Sequence, residues 1–244
     1  MKLSEMLAYT TTFLDDRTDL ISGENDSLWS DATLVRYFNE AERRICRRAW
    51  VLQDIGHPAA GVVVLATGKS LYQLHKSILR VRVATPEDVD VPLSHWTDEQ
   101  LLRPRPTDMD YWDINRAEVF TPGVPLAIST DAGTRTMRVV PAPALKQNGL
   151  RVILKTVRMP VCPLTLEKPD ASPEVDEQWH QEVLCMYAAG KCLTHPNVDA
   201  SAKTEGRNLL AQVEATIREA RQETLRAEGA EPRFQFASTT AMLR

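Results

Sequence analysis

The chain has 244 residues, of which 43% are hydrophobic and 25% are charged, and 33 acidic against 29 basic side chains give a formal net charge of −4. These values disfavour collagen-like, disordered, disulfide-rich and strongly nucleic-acid-seeking proteins, and the length allows one or two domains. No apolar stretch is long enough to span a membrane, and the first residues lack the apolar region of a secretory signal. We therefore expect no membrane partner and a cytosol-like compartment.

Two amphipathic helices are predicted at the start of the chain. The first covers 3–14, and the second covers 31–53 after a polar loop at 15–25. Ser30 is in position to cap the second helix, and Gly56 follows its end. The apolar residues of the second helix recur at steps of three and four and so form one stripe: Leu34, Phe38, Ala41, Ile45, Ala49 and Leu52. This stripe requires further helices to pack against.

The middle of the chain changes to short runs of β-branched residues separated by turn residues. Strands are predicted at 61–66, 70–74, 78–84, 126–130, 134–140 and 150–159. Turns at 67–69 and 131–133 have the length of hairpin connections, and 141–149 spaces the last two strands. Because no helix of crossover length separates these strands, we expect them to be antiparallel. Alternation predicts one shared face for Leu79, Val81 and Val83, and one for Leu150, Val152 and Leu154.

Segment 87–124 interrupts this pattern. It contains a predicted short helix at 98–102 and an aromatic cluster of Tyr111, Trp112 and Phe120. Its carboxylates Asp108, Asp110 and Asp113 have the residue type of a metal-dependent nuclease site, but a polar loop rich in turn formers is the favoured interpretation.

Two more helices are predicted near the end of the chain. Ser172 and Pro173 suit an N-cap and a first helical turn, and a second helix covers 199–228 after Pro196. The buried side of this last helix is predicted to carry Leu209, Val213, Ile217 and Ala220. The expected fold class is α+β: the N- and C-terminal helices, 1–58 and 172–228, form a helical bundle, 59–171 is an inserted antiparallel β-rich domain, and 229–244 is an extended C-terminal arm.

Enzyme motifs are absent from the sequence. It contains no GxGxxG, GxxxxGK[ST], GxSxG or HExxH pattern, which disfavours nucleotide-binding proteins, serine hydrolases and zincins. His57, His75 and His95 have no identifiable serine or cysteine partner. We therefore nominate no catalytic, cofactor-binding or metal-binding residue and expect a non-enzymatic protein without a cofactor.

The cysteines follow no CxxC pattern and are expected to be buried packing residues: Cys46, Cys162, Cys185 and Cys192. Two of them, with His180 and His195, have the residue types of a zinc site. On one helix, however, Cys185 and Cys192 lie about 10 Å apart at a rise of about 1.5 Å per residue, which is too far to share an ion.

A basic run gives the second helix its sharpest charge feature. Helical projection places Arg36, Arg43 and Arg47 opposite the apolar stripe, with Arg44 and Arg48 at its margins. Such a face could bind phosphates or an acidic surface of another subunit. The alternative function is a nucleic-acid-binding module that uses helix 31–53, but the net charge and the lack of interleaved aromatic residues favour an inter-subunit or solvated face.

The arm at 229–244 carries four large apolar residues, Phe234, Phe236, Met242 and Leu243, together with Arg233. A disordered end and an arm that orders upon docking are both compatible with this composition.

Four groups of short motifs follow one another along the chain. The first is Trp29-Ser30-Asp31, followed by Leu34, Tyr37-Phe38-Asn39-Glu40-Ala41 and Cys46-Arg47. The second is Gly68, Tyr72, Leu74 and 78–83; the third is Val139-Val140-Pro141, Pro143, 150–158 and Pro160; the last is 173–187, with Trp179-His180. In this order they resemble the head-to-tail connector adaptor proteins of tailed bacteriophages: the start of the family's chain, its first hairpin, its second hairpin and its C-terminal helix.

The resemblance implies a structural virion protein at the head-to-tail interface, assembled in the cytoplasm of the bacterial host. Such a protein binds the portal ring, extends the DNA channel and provides the platform for a tail or nozzle protein. The resemblance also implies self-association into a ring, typically a dodecamer, through which genomic double-stranded DNA passes without specific recognition. The docking arm, with Arg233, Phe234, Phe236, Met242 and Leu243, would engage the portal, and Arg36, Arg43 and Arg47 would supply an inter-subunit face.

Overall fold

The computed structural model describes residues 1–18, 29–89, 91–96, 122–131 and 134–230. The predicted helix at 98–102, the aromatic cluster, the three carboxylates of segment 87–124 and the apolar residues of the arm lie outside this part. Helices and strands are both present in the described ranges, which confirms the α+β class. In these ranges, none of the helices is both long and apolar enough to cross a lipid bilayer.

Helix α1 covers Leu3–Thr18 and α2 covers Asp31–Ala49. Ser30 caps α2 as predicted, because its Oγ accepts a hydrogen bond from the Thr33 backbone nitrogen at 3.3 Å. The helix ends earlier than residue 53. Trp50 adopts a left-handed conformation with φ 60°, and the Arg221 guanidinium lies 3.2 Å from the centre of its ring. The chain then continues into a strand instead of a further helical turn.

The third predicted helix begins later than Ser172 and Pro173 suggested. Helical structure starts at Gln178, and a π-helical segment, His180–Cys185, then continues into α3, Met186–Leu193. The predicted cap is wrong because the backbone and side chain of Glu174 are committed to contacts with other parts of the chain. Helix α4 covers Ala200–Ala230, and Asp199 Oδ1 accepts from the Ala202 backbone nitrogen at 2.6 Å.

Eight strands and one 3-10 helix form the rest of the described elements. They are β1 Gln53–Ile55, β2 Val62–Val64, β3 Leu71–Gln73, β4 Ile78–Pro86, β5 Ser94–His95, β6 Ala127–Asp131, β7 Thr136–Val140, the 3-10 helix Leu145–Gln147 and β8 Arg151–Arg158. Strand β8 is central in the first sheet: β4 pairs along one edge, and β1 and β2 pair in succession along the other. The second sheet has the order β3-β7-β6-β5.

The expected antiparallel pairing is confirmed for every described strand pair except β5 and β6, which are parallel. Strands β6 and β7, which flank the predicted turn at 131–133, form an antiparallel pair as expected, while residues 132 and 133 lie outside the described ranges. The turn at 67–69 does not form a hairpin, since β2 and β3 belong to different sheets, and 141–149 likewise connects two sheets. These two connections, 67–69 and 141–149, therefore join strands whose hydrogen-bonded partners lie elsewhere in the sequence.

The predicted alternation holds for β8 and fails for β4. Val152 and Leu154 are fully buried, whereas β4 buries Ile78, Val81 and Ala84. Two register shifts against β8 interrupt the two-residue period of β4.

Buried apolar residues form two separate clusters. One is built by the helices and includes Phe38, Ile45, Leu184 and Ile217; the other lies between the strands and includes Leu154. The division into 1–58 with 172–228 and 59–171 stays a prediction, and β1, although inside 1–58, pairs with β8. Residues of α2 and of the strand-rich part of the chain together line a groove, and the candidate surface is found there.

Candidate interaction surface

The outer face of α2 is bordered on both sides by contacts to the rest of the chain. On one side, Arg44 Nε donates to Glu214 Oε1 of α4 at 2.6 Å, and Arg48 contacts the same carboxylate. On the other side, Asn39 exchanges two hydrogen bonds with the backbone of Leu164, at 2.8 and 2.9 Å. Arg44 and Arg48 therefore share one carboxylate within the chain, and we call the part of the outer face between the two borders the crest.

The crest carries the three arginines that the sequence nominated. Arg36, Arg43 and Arg47 are all exposed. Arg36 stacks over the Tyr37 ring at 5.1 Å, and Arg47 Nη2 lies 3.8 Å from Met159 Sδ. Within the described ranges, none of the three forms an ion pair, so their charges are available to another molecule. Their role as an inter-subunit face stays a prediction.

Two further cations extend this surface into a groove between α2 and the strands. The groove has a volume of about 410 Å³, and Lys76 and Arg135 line it opposite Arg43 and Arg47. We call it the basic groove; its remaining lining is formed by Asn39, Glu42, His75, Ser77, Met159, Pro160, Val161 and Pro163. Sequence reasoning missed Lys76 and Arg135, because only the folded sheets bring them beside α2.

Hydrogen bonds fix the two loops that carry the additional cations. His75 Nδ1 lies 2.7 Å from Ser77 Oγ, and the Ser77 carbonyl accepts from the Met159 nitrogen at 2.8 Å. The expectation that His75 lacks a serine partner was therefore wrong, although this pair braces a loop. Arg135 has a left-handed φ of 54°, and its carbonyl accepts from the Leu74 nitrogen at 2.9 Å. Lys76 and Arg135 are thus held at defined positions.

A network of buried charges holds α2 to the strands beneath the groove. Arg158 donates through Nε to Asp54 Oδ2 at 2.7 Å and also contacts Glu174. Glu174 Oε1 accepts from the backbone nitrogens of Val161 at 2.7 Å and of Cys162 at 2.6 Å. These bonds connect β1, β8 and the segment that precedes the π-helical turn.

Glu42 of α2 completes the network from the helical side. Only 1% of Glu42 is exposed, and its Oε1 accepts from the Glu174 backbone nitrogen at 2.7 Å. Burial raises the pKa of Glu42 to about 7, against the lowering effect of that bond. For Glu174, burial also acts to raise the pKa, but hydrogen bonds from the Cys162 nitrogen and Arg158 lower it overall. The sequence contained one signal for this buried carboxylate, since Glu42 lies next to Ala41 on the inward side of the helix.

The cysteines behave as predicted with one exception. Cys46, Cys185 and Cys192 are buried, whereas Cys162 is exposed. Burial raises the pKa of Cys185 to about 11 and that of Cys192 to about 12. These two thiols are therefore protonated packing groups, whereas Cys162 is on the surface.

The zinc-like set gains no support from the geometry of its histidines. His180 is buried, with Nε2 3.0 Å from the Val175 carbonyl oxygen, and the His195 ring packs edge-on to Trp29 at 5.1 Å. The residues that the structure describes include no cluster of three or more potential metal ligands. The predicted arm residues Arg233, Phe234, Phe236, Met242 and Leu243 lie outside the described ranges.

The surface consists of exposed cations on a rigid support, an arrangement suited to binding another macromolecule. Comparison with curated proteins gives no significant match. A family model described as SU10 adaptor protein matches residues 1–233, which is nearly the whole chain. This match confirms the resemblance to phage adaptors at the level of the family, whose role is structural and not enzymatic. The chain therefore belongs to the SU10 adaptor protein family of bacteriophage structural adaptors.

Proposed function

We propose that this adaptor is the head-to-tail connector that binds the portal ring, extends the DNA channel and provides the attachment platform for a tail or nozzle protein. Family membership across residues 1–233 supports a virion component of this kind. In this proposal the chain self-associates as a ring, a dodecamer if it follows the ring size typical of head-to-tail connectors, and the genomic DNA passes through without specific recognition.

The observation that carries the proposal is the division of the α2 arginines into two groups. Arg44 and Arg48 are ion-paired with Glu214, whereas Arg36, Arg43 and Arg47 are exposed and unpaired among the described residues. A closed ring requires heterologous contacts, in which one face of a subunit meets a different face of its neighbour. An unpaired cationic crest is suited to one of these two faces.

The second part of the proposal concerns the C-terminal arm, 229–244. Its apolar residues Phe234, Phe236, Met242 and Leu243, with Arg233, would anchor the adaptor to the portal by ordering upon docking. A short segment with large apolar side chains separated by small polar residues is typical of peptide docking into grooves.

The direct test mixes purified adaptor with purified portal rings and images the particles. We expect a layer of adaptor density on one end of the portal, with a fixed number of copies per ring. Deletion of 229–244 should abolish attachment while the circular dichroism spectrum retains its helical signal. A matched control, Thr239→Ala, keeps the apolar anchors and should attach normally. If wild-type adaptor adds no density to the portal, the proposed function is wrong.

No comparison favours the nucleic-acid alternative for helix 31–53, and a binding assay can test it directly. Substitution of Arg36, Arg43 and Arg47 by Glu leaves the pairs with Glu214 intact, so the fold should be maintained. Dedicated DNA binding would appear as duplex retention at low salt that falls steeply with added salt and is lost in this variant. We expect wild type and variant to bind duplex equally weakly.

A further inference from the structure

The basic groove has a composition that defines the chemistry of its partner. Four exposed cations line it: Arg43, Arg47, Lys76 and Arg135. Among the described residues its one lining carboxylate is Glu42, which is buried and accepts a hydrogen bond from the Glu174 backbone nitrogen. Its wall is apolar, being formed by Met159, Pro160, Val161 and Pro163. A ligand that satisfies both properties carries carboxylates and apolar side chains together, as an acidic protein segment does. A nucleic-acid phosphate chain would satisfy only the cations.

A segment of the same chain has this composition. Strand β4 is followed by the described residues Glu87, Asp88, Val89 and Val91, which we call the acidic loop. Its two valines are unusually exposed, at 44% for Val89 and 58% for Val91. Glu87 is paired with Arg151 at 3.0 Å, whereas Asp88 is exposed and has no ion pair among the described residues. The loop thus presents a carboxylate beside apolar side chains that remain uncovered in the described part of the chain.

The position of the two features prevents them from meeting within one chain. Lys76 of the basic groove precedes β4, and the acidic loop follows it, so the nine residues of Ile78–Pro86 separate them. Because Ile78 lies opposite Arg158 and Pro86 lies opposite Val152, β4 advances by six residues of β8, or about 20 Å at about 3.3 Å per residue. Groove and loop therefore lie at opposite ends of β4, and a contact between them must join two copies.

We propose that the acidic loop of one copy docks into the basic groove of a second copy. This inference rests on the proposed function, because it assigns to the exposed arginines of α2 their partner in the self-assembled ring. It also adds Lys76 and Arg135 to that face. Because the two surfaces differ and lie at opposite ends of one strand, the contact is heterologous and repeats from copy to copy, which is the geometry that a ring or helical array requires.

Reciprocal charge reversal tests the pairing. The groove variant carries Arg43→Glu, Arg47→Glu and Lys76→Glu, which leaves Arg135 as its single cation, and the loop variant carries Asp88→Lys. Adaptor bound per portal ring is measured by mass for each variant alone and for an equimolar mixture. Each variant alone should need an at least tenfold higher concentration to fill the ring, because like charges oppose at every contact. The mixture should recover wild-type filling, since each reversed surface then meets its complement.

A matched control is Arg207→Glu, which reverses an exposed cation on α4 outside the groove. It should fill portal rings as wild type does. If the groove and loop variants also fill them normally, or if the mixture fails to recover, the pairing is overturned while the adaptor function stands. Failure of wild type to attach would instead refute the proposed function. Equal assembly combined with loss of duplex DNA binding in the groove variant would show that the groove binds phosphates and would overturn the docking proposal.

Covalent trapping gives an independent readout. In a Cys162→Ser background, which removes the exposed thiol, one chain carries Lys76→Cys and a differently tagged chain carries Asp88→Cys. Mild oxidation of the mixed assembly should yield a disulfide-linked heterodimer, with circular dichroism confirming that both chains are folded. Absence of heterodimer in assemblies that contain both chains would contradict the contact between groove and loop.

Discussion

Arg158 offers the sharpest test of how the helices are joined to the strands. Its side chain is 4% exposed and contacts the carboxylates of Asp54 and Glu174, which are 32% and 19% exposed. It also donates to the Met159 carbonyl oxygen at 3.2 Å. Replacement by Met keeps much of the apolar volume but leaves two partly buried carboxylates without their cation, close to buried Glu42.

The expected cost follows from this burial. Removing one partner of a buried ion pair destabilises a protein by about 3–5 kcal/mol, because the remaining charge is desolvated without compensation. A matched control lies on the same strand, since Arg151 pairs with Glu87 at the surface, with side chains 52% and 46% exposed. Exposed pairs contribute about 0–1 kcal/mol. Arg158→Met should therefore cost about 3 kcal/mol more than Arg151→Met.

Urea unfolding followed by circular dichroism measures both variants. With a slope of about 3 kcal/mol per molar urea, the difference corresponds to a shift of about 1 M in the midpoint. A triple variant, Asp54→Asn with Glu174→Gln and Arg158→Met, should recover part of the loss, because no uncompensated charge remains. Equal midpoints for Arg158→Met and Arg151→Met would refute the conclusion that this charge network joins the helices to the strands.

Three further predictions concern packing, pH and thiol exposure. Gly190→Ala should lower the free energy of unfolding by about 1–3 kcal/mol, because an added Cβ would lie 2.9 Å from Leu210 Cγ. The control Gly229→Ala places its Cβ in open space and should leave the free energy of unfolding unchanged. Chemical denaturation measures both variants. Burial raises the pKa of Glu42 from 4.5 to about 7. Its stabilising contribution of up to about 3 kcal/mol is therefore present below pH 4.5 and is lost as pH rises through about 7. Glu42→Gln should reduce the fall in melting temperature between pH 5 and pH 8, and an unchanged fall would contradict this assignment. A thiol reagent should modify Cys162 alone in the folded protein and all four cysteines after unfolding, and rapid modification of more than one would be inconsistent with the burial.

The sequence predicted those elements whose patterns are strong and local. The stripe of α2, its cap at Ser30 and the long α4 helix follow from a 3.6-residue period and from capping chemistry, which depend only on neighbouring residues. The outward placement of Arg36, Arg43 and Arg47 follows from the same period.

The errors have a common physical origin. Ser172 and Pro173 form an acceptable helix start, but Glu174 binds Arg158 and the Val161 nitrogen. These tertiary contacts hold 172–174 outside the helix, which therefore begins further along the chain. The turn at 67–69 has the length of a hairpin, yet its flanking strands pair with distant partners. Local signals specify where the chain turns; they do not specify which strand it then meets.

By itself, the sequence determined the α+β class, the buried helix stripe and the cationic crest, because these depend on periodicity and residue type. Only the tertiary structure decided which cations are free. Glu214 pairs with Arg44 and Arg48 from a helix 170 and 166 residues away, respectively, and the sheets bring Lys76 and Arg135 beside α2. Charge pairing across such separations depends on chain topology, which no local pattern encodes. The net charge of −4 therefore masks a basic groove and an acidic loop at opposite ends of one strand.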